Sequence, residues 1–212
     1  MLLKEIGGAL GVPVKLVAKA WRDCLADVKA GTIDGAINAS HSKERAEFAD
    51  YPVNIYGDAD ASKRMHRSSY VLYRKKGGAV NFDGKAITGA DGAIGAPTGY
   101  SVIAQLKQLN VKVDDSASAS SEILNRVAEG KIAAAALISA EADDHLRRTA
   151  ALQAVIERVP TALSERPYFT ILSKKFTAQY PAFAKEFWRV TGKLRSAPEF
   201  QKKLTELGLL AE

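Results

Sequence analysis

One pattern occurs twice in this chain, and it restricts the fold more than anything else in the sequence. The first copy reads CLADVKAGTIDGAI over residues 24–37, the second ILNRVAEGKIAAAAL over residues 123–137. In each, an amphipathic run stops at a glycine and passes into an apolar run, with Gly31 answered by Gly130 and Ile33 by Ile132. Helical spacing that ends on glycine reads as a capped helix, and the short apolar run beyond it as a buried strand. A helix–glycine–strand unit used twice in 212 residues predicts two similar α/β lobes. Only the first copy continues into a polar loop carrying an arginine, Arg45, and that asymmetry is the best pointer to function.

The remaining patterns fill in the lobes. Leu2, Leu3, Ile6 and Leu10 predict a first helix ended by Gly11 and Pro13, and VPVKLVAK over residues 12–19 alternates like a strand. Trp21, Cys24, Leu25 and Val28 fall at helical spacing. IDGAIN over residues 33–38 predicts a buried parallel strand, because its apolar residues do not alternate cleanly. The aromatic, β-rich runs at residues 68–75 and 166–175 resemble each other. Between them a second α/β unit is expected, with strands at 93–96, 111–115 and 133–137 and helices at 100–109, 120–129 and 140–148. The inference is an inserted lobe: residues 1–72 and 168–212 form lobe 1, residues 73–167 form lobe 2, and the two extended crossings make a hinge. Two helices follow, one with Phe183, Phe187, Val190 and Leu194 on a face behind Pro181. The other carries Phe200, Leu204 and Leu207 and stops at Gly208; the first lobe is expected to cover both faces.

Composition narrows the function. Hydrophobic residues make up 47% and charged residues 25%, enough for a packed core without disulfide or metal staples. Cys24 is the only cysteine, so no intramolecular disulfide forms, and His41, His66 and His145 lack zinc-type spacing and read as surface residues. The net charge of +6 is spread along the chain and interleaved with acids. A solvated surface fits this better than a nucleic-acid interface. No run approaches the roughly 18 apolar residues of a membrane span. The chain opens in a helix with no signal sequence ahead of it, which suits either a cytosolic protein or one whose leader has been lost.

Catalytic patterns are missing: there is no GxSxG elbow, no HExxH and no GxGxxG. Binding has more support. Ligands of open α/β sheets sit beyond the carboxyl ends of strands. The predicted strand at 33–38 ends at Asn38, and Asn38, Ser40 and Ser42 lead directly to Arg45. A guanidinium there would clamp a carboxylate with two parallel hydrogen bonds, unless it simply pairs with Glu44, Glu47 or Asp50 on the surface. The second lobe offers Thr98 and Gly99 between a strand and a helix, with Tyr100 and Ser101 opening the helix where free N–H groups favour an anion or carbonyl oxygen. Ser139 holds an equivalent strand-end position, or else caps the following helix. Trp21 reads as core packing or as a wall for an apolar ligand.

These pieces together carry a resemblance. WRDCLADVKAGTIDGAI, the loop NASHSKER followed by FADYP, the hinge strand SYVLYR, IGAPTGYS and VAEGKIAAAAL make the chain similar to the extracellular solute-binding proteins of family 3, the polar amino-acid receptors of ABC importers. The resemblance implies an α/β, periplasmic-binding-protein-like type 2 fold, with two lobes, two hinge strands and C-terminal helices packed on lobe 1. It implies a periplasmic, monomeric, cofactor-free binding protein that closes on a small carboxylate-bearing solute and serves an ABC permease. It assigns the ligand's α-carboxylate to Arg45, further contacts to Asn38 and Ser40, and a second set to Gly99, Tyr100 and Ser101. Two departures accompany it. Amino-acid binders of this family put an aspartate after the second-lobe strand, where this chain has Ile138 and Ser139, so another small carboxylate is also open. The family also begins with a strand ahead of the first helix, which leaves the first lobe's sheet expected to be incomplete or otherwise compensated. Two other classes remain: a dehydratase-type enzyme with Glu141 as acid, and a ligand-sensing module of a signalling protein.

Overall fold

The computed structural model describes residues 1–206, so the expected contributions of Leu207 and Gly208 lie outside the described residues. The chain divides into two compact units, one made of residues 1–67 with the chain from 167 onward, the other of residues 68–166.

The first unit contains α1 (Leu2–Leu10), α2 (Trp21–Ala30), β1 (Gly35–Ser40), α3 (Lys43–Ala46), β2 (Ala49–Asp50) and the 3-10 turn Ala61–Lys63. The second contains most of β3 (His66–Lys75), the hairpin of β4 (Asn81–Phe82) and β5 (Ile87–Thr88), then β6 (Ile94–Gly95), α4 (Val102–Gln108), β7 (Val113–Asp114) and α5 (Ser120–Glu129). It ends with β8 (Ala134–Ile138), α6 (Ser139–Arg148), α7 (Ala150–Val155) and β9 (Ile156–Arg158). The chain returns through β10 (Ser164–Ser173) into the first unit, which closes with α8 (Lys174–Gln179), α9 (Pro181–Arg195) and α10 (Pro198–Glu206).

In the first unit β10 is the central strand, pairing antiparallel with both β1 and β2. Alternate side chains of β10 serve two layers, as strand geometry requires. Phe169 and Ile171 join Val28 of α2 with Ala36, Ala39, Ala49 and Tyr51, while Leu172 joins Leu2, Leu3 and Ile6 of α1 and Ala184, Phe187, Trp188 and Val190 of α9. The apolar faces of the last two helices are therefore covered within this unit, and Trp188 donates its indole N–H to Thr170 O at 2.8 Å.

The second unit is the insert. β3 pairs antiparallel with β8 and β9, and β8, β6 and β7 run parallel. Both faces are buried. Val71, Tyr73, Ala135 and Leu137 face α5, α6 and α7, while Tyr70, Leu72, Ala134 and Ala136 face α4 and the β4–β5 hairpin. Burial on both faces explains why AAAAL shows no alternation.

The repeat is real down to its hydrogen bonds. α2 ends with Gly31 N donating to Val28 O and Thr32 N to Asp27 O; α5 ends with Gly130 N donating to Val127 O and Lys131 N to Arg126 O. Both glycines have left-handed φ, 65° and 76°, which the double-bonded helix stop needs.

Two expectations fail. The segment at residues 12–19 forms no strand: residues 12–20 have no regular structure, and Val14, Leu16 and Val17 are 40%, 65% and 58% exposed. Pro13 has no N–H to offer, and alternation alone cannot make a strand without a neighbour to pair with. The run at 33–38 does yield a strand, β1, but an antiparallel one against β10. Helix–strand order left its direction open, because its partner is supplied from the far end of the chain.

Candidate functional site

The residues around Arg45 assemble from three elements of the first unit. Ser42 caps α3, its hydroxyl accepting from Arg45 N at 3.2 Å, which fixes where the arginine leaves the backbone. The side chain is only 6% exposed. Its Nη1 donates to Ser40 O at 2.9 Å and to Ser40 Oγ at 3.0 Å, and its Cζ stands 5.4 Å from the centroid of the Trp21 ring. Trp21 itself packs on the cluster around Val28 and Phe169, so it is at once a core residue and a platform for the cation. Tyr51 donates its hydroxyl to the same Ser40 carbonyl at 2.9 Å. Burial pushes the Tyr51 phenol up to about 12 while the neighbouring Arg45 works the other way, so it stays a neutral donor. The His41 ring meets Tyr51 edge-on at 4.9 Å.

Asn38 occupies the bulge of β1. The pairs Ala36↔Ile171 and Ala39↔Phe169 leave an extra residue on β1, and Asn38 takes a left-handed φ of 62°. Its Oδ1 lies 3.0 Å from Nε2 of His66, whose ring stacks on Tyr168 at 5.2 Å. The structure thus groups Trp21, Ser40 and Arg45 in direct contact, with Asn38 turned toward His66.

The other predicted residues lie in the second unit. Thr98 ties its turn to the strand beyond, with Oγ1 donating to Asp115 O at 2.6 Å and Ala117 O at 3.2 Å. Gly99 has a left-handed φ of 77°, and Tyr100 N donates to Pro97 O at 3.0 Å. This turn delays the helix: α4 starts at Val102, with Ser101 at its N-cap giving no side-chain cap bond, rather than at residue 100. Ser139 is the first residue of α6 with Ile138 in the cap position, and its carbonyl accepts from the Tyr73 hydroxyl at 3.4 Å. The register Gly95↔Ala135 places the Gly99–Tyr100–Ser101 turn and Ser139 beyond the carboxyl ends of adjacent parallel strands, β6 and β8. That is where open α/β sheets hold ligands. Glu141 is exposed in the first turn of α6.

Tyr51, His66 and Tyr168 escaped the sequence reading. The Tyr-Pro that closes the FADYP tail was a usable signal for Tyr51. The contacts of His66 with Asn38 and Tyr168 join residues far apart in the chain, and no local pattern marks them. No three His, Cys, Asp or Glu side chains gather as a metal site among the described residues, and no described helix is long and apolar enough to cross a membrane.

No protein-family model matches the sequence, and a search of curated proteins finds no match. Solved structures do match. The chain is similar to a histidine kinase sensor domain with similarity to periplasmic binding proteins, at 13% identity and TM-score 0.78, over 100% of this chain and 86% of that one. It is similar to the GluR0 ligand-binding core from Nostoc punctiforme in complex with L-glutamate, at 16% identity and TM-score 0.72, over 97% and 87% of the two chains. An amino acid ABC transporter substrate-binding protein from Streptococcus pneumoniae bound to L-arginine matches at 18% identity and TM-score 0.68, over 98% and 77%. At such identities the likeness is one of fold, and the fold of this chain is that of the periplasmic-binding-protein-like α/β proteins.

Proposed function

We propose that this chain is a non-enzymatic binding protein for a small carboxylate-bearing solute, an amino acid or a related compound, which it delivers to an ABC importer on the periplasmic side. The observation that carries the reading is the buried Arg45 guanidinium, lying on Trp21 and fixed by Ser40. A desolvated cation held in one orientation is a strong partner for a carboxylate, whose two oxygens match the guanidinium fork. Ser40 and Tyr51 position that fork, and the Gly99–Tyr100–Ser101 turn and Ser139 are secondary candidates for polar contacts. Similarity to binding proteins crystallised with glutamate and arginine supports the ligand class.

Titration calorimetry of the full chain against a panel of amino acids and small carboxylic acids tests this. Arg45→Ala is expected to weaken binding at least tenfold, since a hydrogen bond to a charged group contributes about 1.5–3 kcal/mol. Arg45→Lys should recover little, because an ammonium lacks the fork. A variant that binds as tightly as the native chain would overturn the clamp.

Similarity to a kinase sensor domain supports a second reading, ligand sensing for a signalling protein. The two readings share a ligand and differ in partner, so crosslinking to a permease or to a membrane kinase separates them.

A further inference from the structure

Elsewhere in the first unit, cations gather where the 3-10 turn Ala61–Lys63 meets the end of α9. The approach is close: a Cβ on Gly192 would stand 2.7 Å from Ser62 O. Two guanidiniums sit on consecutive carbonyls of that turn, Arg64 Nη1 donating to Ala61 O at 2.9 Å and Arg195 Nη2 reaching Ser62 O at 3.4 Å. In both arginines the Nε–H is buried and meets no acceptor among the described residues. Burial, and then the positive charges of Arg64 and Arg67, hold the Arg195 guanidinium below its ordinary range. The nearby carboxylate, Asp60, is committed to Ser62 N, Ser62 Oγ and Lys63.

Helix ends favour cations at their C-termini, which accounts for a positive charge at Arg195. It does not account for two buried donors with no acceptor among the described residues. Such groups are uncommon in native proteins and are expensive to leave unmade. We propose that this corner is an anion site, separate from Arg45, that takes a phosphate-type oxyanion whose oxygens accept from Nε of Arg64 and Nε of Arg195. A tetrahedral dianion suits it better than a carboxylate, because it carries charge enough to offset both guanidiniums and has acceptors facing several directions. The phosphate is either free or the headgroup of an anionic lipid.

The test uses the full chain and inorganic phosphate, with phosphorus NMR and calorimetry at constant ionic strength. The native chain is expected to bind, with at least tenfold weakening in Arg64→Gln and in Arg195→Gln. Arg189→Gln, an exposed arginine of α9 paired with Glu186, should bind as the native chain does, and so should Arg45→Ala. Failure of the carboxylate clamp would therefore leave this site standing. Circular dichroism of each variant checks the fold, and Arg195→Lys, which keeps charge but loses Nε, should bind weakly while folding normally. Sedimentation with vesicles containing phosphatidic acid, whose headgroup is a phosphomonoester, lost in the same variants, would assign the phosphate to a lipid; phosphate binding without sedimentation would assign it to the free ion. Absence of phosphate binding, an equal response to chloride, or undiminished binding by the Arg64→Gln, Arg195→Gln double variant would overturn the proposal.

Discussion

Arg45 and Asn38 stand in one short stretch; the first holds a buried state that its side-chain type resists, the second a left-handed backbone that asparagine accepts more readily than most non-glycine residues. A guanidinium rarely gives up water unless its hydrogen bonds and a compatible surface replace it, and Ser40 and Trp21 supply both. Asn38 adopts the left-handed backbone that glycine tolerates and β-branched residues do not. Asn38→Gly is therefore expected to fold with nearly native stability, whereas Asn38→Val should lose about 1–3 kcal/mol in denaturant unfolding. Equal stability of the two variants would mean that the bulge relaxes. Arg45 was legible beforehand only as a candidate, since an arginine after a strand-end polar loop reads either as a carboxylate clamp or as a surface ion-pair partner. Its burial was not, because that depends on Trp21 and Tyr51, which reach it from other elements.

Among elements, the glycine-stopped helices were the most legible. A left-handed residue after an amphipathic run is a local event, and α1, α2 and α5 all end on one. Strands were less legible, because a strand exists only through its neighbours. Residues 12–20 have the composition of a strand and remain irregular, while β1 takes its direction from β10, which arrives after the whole insert. The β7–α5 junction shows a tie that sequence could not supply: Asp114 accepts from Ser116 Oγ at 2.6 Å and from Arg126 at 3.0 Å. Ser116 chiefly, and Arg126 in addition, hold the Asp114 carboxyl below its usual range. A depressed pKa contributes stability above the unfolded value near 4 that is lost as pH falls through the folded one. Unfolding between pH 5 and 2 should thus show a shallower loss for Asp114→Asn than for the native chain, on the order of a few tenths of a kcal/mol for a partly exposed group screened by solvent. An identical acid limb in both would show that the tie does not contribute.

At the scale of the molecule, the two units differ in how the chain makes them. The second is continuous from residue 68 to 166 and contains both of its own apolar layers. Expressed alone, that segment is expected to melt as a single cooperative transition with native-like dispersion of its amide NMR signals. A molten fragment would show that it depends on the rest of the chain. The first unit is discontinuous, with β10, α9 and α10 supplying much of its interior. The duplicated pattern made two α/β units legible, but nothing local revealed that Phe169, Ile171 and Leu172 would be the middle of the earlier one.

That dependence on β10 carries over to synthesis in the cell. During synthesis, residues 1–67 have no complete sheet to join until β10 and the helices behind it follow, so Leu2, Leu3, Ile6 and Val28 are expected to stay open to solvent while the intervening portion can already settle. A stop codon just after residue 166 would release a half-finished product, one part ordered and the other a substrate for chaperones and proteases.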